Sequence, residues 1–143
     1  MCAQGRFDSQ EALMGIAGTY EMTSSDNYED YLKATGVGMA TRKLAASSKP
    51  TVTITEDGDN YRMKTVTTFK TIDLAFKIGE EFVEETDDGR KANTTITRDG
   101  DKLVQVQKLD TLSTRITRTF IDNGLIAVFA VGDVVSNRSY KRI

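Results

Sequence analysis

The sequence predicts an all-β fold: a ten-stranded antiparallel up-and-down β-barrel, closed at one end by a helix-turn-helix lid between strands 1 and 2. Three observations carry this. From residue 50 onward the chain repeats segments of about six to ten residues rich in Thr, Val, Ile and Phe, each stopped by Asp, Asn and Gly. Only residues 27–47 carry apolar side chains at helical spacing. Along the late strands the inner row mixes polar with apolar side chains, which suits a water-containing cavity better than a dry core. Short turns join antiparallel neighbours, so this order of elements excludes a parallel α/β sheet.

The elements follow in order. A first strand spans 16–23. Tyr28, Tyr31 and Leu32, then Met39 and Leu44, recur at helical spacing while Gly36 and Gly38 interrupt, which gives two short helices. A side-chain oxygen of Asp26 or Asn27 is expected to cap the first. Pro50, the sole proline, returns the chain to extended conformation. Strands are expected at 51–56, 60–67, 70–77, 81–86, 91–98, 102–109, 112–120, 124–131 and 134–142. Between them lie Asp57-Gly58-Asp59-Asn60, Ile78-Gly79-Glu80, Asp87-Asp88-Gly89, Asp99-Gly100-Asp101, Asp122-Asn123-Gly124 and Gly132-Asp133, all offering residues that tolerate positive φ.

A chain of 143 residues suits one compact domain, read here as 16–143 behind an N-terminal extension 1–15. The extension reads as a flexible tail, the alternative being a short helix capped by Ser9 with Leu13 and Met14 against the barrel base. With no His and a single Cys, Cys2, the sequence excludes imidazole catalysis, His-ligated metals, zinc-thiolate clusters and internal disulfides. Cys2 reads as a free thiol. Nineteen Lys+Arg against twenty-one Asp+Glu, net charge -2, disfavour a nucleic-acid partner. The first fifteen residues hold no apolar run for a signal peptide and include Asp8 and Glu11, so a cytoplasmic location is expected. None of the Asp/Gly turns has the twelve-residue loop of a calcium site. No metal or cofactor is expected.

Two inner rows carry the chemistry. Alternation along 112–120 puts Leu112, Thr114, Ile116, Arg118 and Phe120 on one face, and in the last strand it turns Ser136, Arg138 and Tyr140 inward. Gln105 and Gln107 align with Leu103 and Leu109. Two inward guanidinium groups, with no Asp or Glu on those two rows, require an internal carboxylate, water or an anionic ligand. Snorkelling of either Arg to a barrel rim, or a face shifted by one residue at a bulge, would lift that requirement. An enzyme acting on a lipophilic substrate is the weakest reading: Ser136 and Thr114 have no His to activate them, and no matched pair of inward carboxylates is evident.

Residues 18–32, Gly18-Thr19-Tyr20-Glu21-Met22-Thr23-Ser24-Ser25-Asp26-Asn27-Tyr28-Glu29-Asp30-Tyr31-Leu32, closely resemble the entry signature of the intracellular lipid-binding proteins, the family of fatty acid-binding and cellular retinoid-binding proteins. The resemblance continues through Gly36-Val37-Gly38-Met39-Ala40-Thr41-Arg42-Lys43, Thr68-Phe69-Lys70, Gly79-Glu80-Glu81-Phe82, Asp88-Gly89-Arg90-Lys91 and Val106-Gln107-Lys108. It ends with Gly132-Asp133-Val134 and Arg138-Ser139-Tyr140-Lys141-Arg142. It covers about 16–143 and implies a calycin, lipocalin-like barrel around a large hydrated cavity.

In members that bind carboxylates, two late arginines and a tyrosine hold the head group; by motif these are Arg118, Arg138 and Tyr140. Retinol-binding members carry glutamine at both arginine positions, so the resemblance implies an acid rather than an alcohol. It also implies ligand-chain and portal roles for Tyr28, Tyr31, Val37, Val52, Thr65, Phe69, Gln107 and Leu109, with entry between the lid and the turns near Phe69 and Asp87. Thr35, Leu109 in place of a frequent tryptophan, and the early start depart from the pattern. Lys33, Arg42, Lys43, Lys49 and Lys70 place positive charge around the mouth, suited either to transient contact with anionic membranes or to solvated helix faces. The expectation is a cytosolic, monomeric, non-enzymatic carrier of one long-chain fatty acid, with a retinoic acid carrier as the alternative.

Overall fold

The computed structural model describes residues 15–86 and 89–143. Expectations for the extension, including Cys2, Ser9, Leu13 and Met14, and for Asp87 and Asp88 lie outside the described residues.

The elements are β1 (Gly18–Asp26), α1 (Tyr28–Ala34), α2 (Met39–Ser47), β2 (Thr51–Asp57), β3 (Asn60–Val66), β4 (Thr71–Lys77), β5 (Phe82–Glu85), β6 (Lys91–Asp99), β7 (Lys102–Lys108), β8 (Ser113–Ile121), β9 (Gly124–Val131) and β10 (Val134–Arg142). One antiparallel sheet runs in the order β4-β3-β2-β1-β10-β9-β8-β7-β6-β5. The first strand pairs with the last, so the sheet curls into a nearly closed barrel whose edges are β4 and β5. Stacked rings cross that seam: Phe76 of β4 lies 6.1 Å from Phe82 of β5 at 12°, and Tyr61 stacks on Phe76 from the other side.

β1 runs past its expected end. A register shift between Met22 and Ser24 inserts a bulge, after which Ser24, Ser25 and Asp26 pair with Ser139, Arg138 and Asn137. These short polar residues have little strand preference of their own, and pairing with β10 decides their conformation. The turns behave as expected at Gly58 and Gly100, each with φ 62°. Gly124 does not take positive φ; it is glycine because a Cβ there would collide with the backbone carbonyl of Tyr140.

The cap differs from expectation. Asn27 occupies the N-cap of α1 in the left-handed region, φ 65°, and no side chain bonds the helix start. Its amide instead donates to the Val135 carbonyl at 3.0 Å, and Ser136 Oγ donates to the Asp26 carbonyl at 2.7 Å. The lid is thereby fastened to β10. α1 ends at Thr35, whose hydroxyl donates to the Leu32 carbonyl; Gly36 then takes φ 95°, and Val37 N–H closes back on Leu32. Buried Val37 so turns toward the lumen.

At the end opposite the lid the barrel is packed. Tyr20 is fully buried, donates its hydroxyl to the Ile16 carbonyl at 2.7 Å and meets Phe120 edge-on. Burial raises the Tyr20 phenol pKa, opposed by the Arg142 guanidinium 4.9 Å above its ring. Ile54 and Leu103 complete this plug. Hydrocarbon thus fills one end and leaves the lid end hollow.

Candidate functional site

Between lid and plug lies a cavity with about 170 Å³ of room for the centres of water-sized molecules, open at its mouth to solvent. Strand alternation turns Thr114, Ile116, Arg118 and Phe120 of β8 and Ser136, Arg138 and Tyr140 of β10 inward, as the sequence predicts. Arg118, Arg138 and Tyr140 line one cavity, together with Tyr28, Tyr31, Val37, Val52, Thr65, Gln107 and Leu109. Phe69, 39% exposed, borders an adjoining recess with Tyr28, Thr65 and Arg138 at the β3–β4 turn.

Arg118 belongs to a protein-built relay. Its Nη1 donates to Gln105 Oε1 at 2.7 Å, and Gln105 Nε2 donates to Glu84 Oε1 at 2.7 Å. The same oxygen accepts from Thr94 Oγ1 at 2.7 Å and Gln107 Nε2 at 3.0 Å, while Thr114 Oγ1 donates to Gln107 Oε1 at 2.8 Å. Burial lowers the pKa of Arg118 because a desolvated cation is costly; the Tyr140 phenol and then the Glu84 carboxylate oppose the shift.

Sequence reasoning passed over Glu84. The rows of β8 and β10 hold no carboxylate, but β5 brings one to the same space. Its signal was the alternation of Phe82, Glu84 and Thr86 along the expected strand 81–86.

Arg138 is held differently. It is 3% exposed, its Nε donates to Ser25 Oγ at 2.9 Å, and its guanidinium carbon sits 3.5 Å over the Tyr28 ring of α1. Its Nη2 is buried without a hydrogen-bond partner. A cationic N–H enclosed and unbonded is among the costliest polar states a protein retains. The bulge in β1 matters here, since it is what brings Ser25 opposite Arg138.

The charge around the mouth is smaller than the sequence suggests. Glu29 pairs with Lys43 at 2.7 Å and Arg42 at 3.4 Å, and Arg42 also donates to the Val37 carbonyl at 3.1 Å. The one carboxylate offsets one of these two charges and leaves the trio one positive, the Lys43 hydrogen bond above all holding the Glu29 carboxyl below its ordinary value. Lys33 and Lys49 remain exposed.

The family described as "Lipocalin / cytosolic fatty-acid binding protein family" matches residues 17–138. Fatty acid-binding protein 12 of Mus musculus is 44% identical over 128 residues, covering 90% of this chain and 97% of its own. A fatty acid-binding protein of Tyrophagus putrescentiae is 46% identical over 131 residues, covering 91% of this chain and 99% of its own. Among solved structures, the Schistosoma mansoni fatty acid binding protein in complex with arachidonic acid superposes with a TM-score of 0.86 at 37% identity, covering 89% of this chain and 95% of that one.

Proposed function

The chain belongs to the lipocalin / cytosolic fatty-acid binding protein family, and from that premise we propose that it is a non-enzymatic carrier taking one long-chain fatty acid into its lumen. The observation that supports this most is the buried, unbonded Nη2 of Arg138 on the cavity wall. The inward charges Arg118, Arg138 and Glu84 sum to one positive, so a single carboxylate neutralises the lumen. In this reading the head group bonds Arg138 directly, Tyr140 donates its hydroxyl, and Arg118 acts at longer range through the electrostatic field. Each charge-assisted bond contributes about 1.5–3 kcal/mol and fixes orientation.

Affinity comes mainly from the chain. About fifteen methylenes at about 0.8 kcal/mol each set an upper bound near 12 kcal/mol, from which association and ordering costs subtract. A dissociation constant below about 1 μM follows. Tyr28, Tyr31, Val37, Val52, Thr65, Gln107 and Leu109 would flank the alkyl chain, with Phe69 at the entrance. Native mass spectrometry of protein purified without delipidation tests the reading. The expected result is one added mass equal to a long-chain fatty acid; protein that carries none and shows no saturable binding of oleate overturns it.

A further inference from the structure

The carboxylate of Glu84 is the lumen feature that head-group binding leaves unused. It is 9% exposed, and its side chain lines the cavity. Oε1 collects three donors, from Thr94, Gln105 and Gln107. Oε2 accepts no hydrogen bond among the described residues. An ionised carboxylate offers about four lone-pair sites, so those of Oε2 keep accepting capacity that no described residue fills. The neighbouring donors turn toward Oε1 rather than Oε2: each glutamine amide gives it one N–H and Thr94 its hydroxyl, while Thr114 donates to Gln107.

We propose that Glu84 is a second ligand anchor, whose Oε2 accepts a hydrogen bond from a hydroxyl on the lipid, so that the lumen selects hydroxylated long-chain acids over plain ones. This rests on the fatty-acid reading above. A wholly apolar chain laid against Glu84 removes water from an anionic oxygen and returns nothing, whereas a hydroxyl returns a charge-assisted bond. A ketone at the same carbon only accepts, so it meets Oε2 acceptor to acceptor. The site therefore reads donor against acceptor, not polarity in general. A cationic amine is disfavoured by the inward guanidinium groups that the same lumen carries.

The test is a competition series of stearic acid, its monohydroxy positional isomers and the corresponding oxo acids, each titrated against the intact protein. The best hydroxy isomer is expected to bind about tenfold more tightly than its oxo counterpart, as one net charge-assisted bond provides. Glu84→Gln is the decisive variant because it keeps shape. With its oxygen still holding the three donors, its amide N–H₂ faces the lumen and converts acceptor to donor, so the hydroxy-over-oxo preference shrinks to parity or inverts. Glu84→Leu, with folding checked by thermal melting, abolishes the preference. If hydroxy and oxo acids bind alike to wild type, or the ratio survives Glu84→Gln, water rather than ligand satisfies Oε2 and the anchor is disproved. If no acid binds at all, the carrier reading falls and takes this one with it.

Discussion

Two guanidinium groups share one lumen and are held by opposite means. On the β5–β7–β8 side, Arg118 is bonded by Gln105 and, through it, to Glu84, so protein atoms supply its partner. On the β10–α1 side, Arg138 rests on Ser25 and the Tyr28 ring and keeps a buried nitrogen, Nη2, without a bond. Both carry one positive charge, so charge alone does not distinguish them. What differs is who completes the hydrogen bonds. An arginine given an acceptor by the protein shapes the field of a cavity; one with an enclosed nitrogen left unbonded recognises whatever enters.

The sharpest way to break that contrast is to remove each charge in turn. Arg138→Gln is expected to weaken oleate binding by about one to two orders of magnitude, the loss of a direct charge-assisted bond, while oleyl alcohol changes by less than about threefold. Paired titrations of the acid and the alcohol check this. Equal losses for both would mean that Arg138 supports the barrel rather than reading the head group.

Arg118→Gln is expected to cost less, about threefold to tenfold, because its contact with the ligand is indirect. Its larger signature is coupling. In a double-mutant cycle of folding stability with Glu84→Gln, followed by chemical denaturation, the interaction energy is expected at about 0.5–3 kcal/mol, since the two groups share one hydrogen-bond relay. Additivity within about 0.3 kcal/mol would show that Gln105 does not couple them and would make the two arginines equivalent.

The same contrast marks what was legible in the sequence. Period-two alternation turned Arg118, Arg138 and Tyr140 inward without coordinates, because each lies in a long strand flanked by clear turns. Glu84 shared the expected strand 81–86 with two more carboxylates, Glu81 and Glu85, so charge alone did not show which of them enters the lumen. Asn27 was recognised as a helix boundary, but its bond to the Val135 carbonyl depends on a strand more than a hundred residues away. Likewise the first strand was expected to end at 23, and pairing with β10 carries it on to Asp26. Local pattern located the elements; long-range pairing decided where they ended and which polar groups met. The arginine partners belong to the second kind of information.

A third arginine completes the comparison from outside the lumen. On the outer surface Arg62 of β3 grips Asp73 of β4 through two bonds, Nε to Oδ1 at 2.8 Å and Nη2 to Oδ2 at 2.6 Å. The Arg62 hydrogen bond holds the Asp73 carboxyl below its ordinary value of 3.8. A carboxyl whose folded pKa is depressed contributes stability that is complete above the unfolded value and is lost as pH falls through the folded one. Wild type is therefore expected to melt slightly higher than Asp73→Asn near pH 7, with the gap closing as pH drops below 3.8. Because water screens this pair, the gap is smaller than either effect inside the lumen, and oleate affinity at neutral pH stays unchanged. A gap that persists at the lowest pH would mean that Asp73 stabilises the β3–β4 edge by packing rather than by charge, and the outer arginine would no longer serve as the solvated counterpart of the two inside.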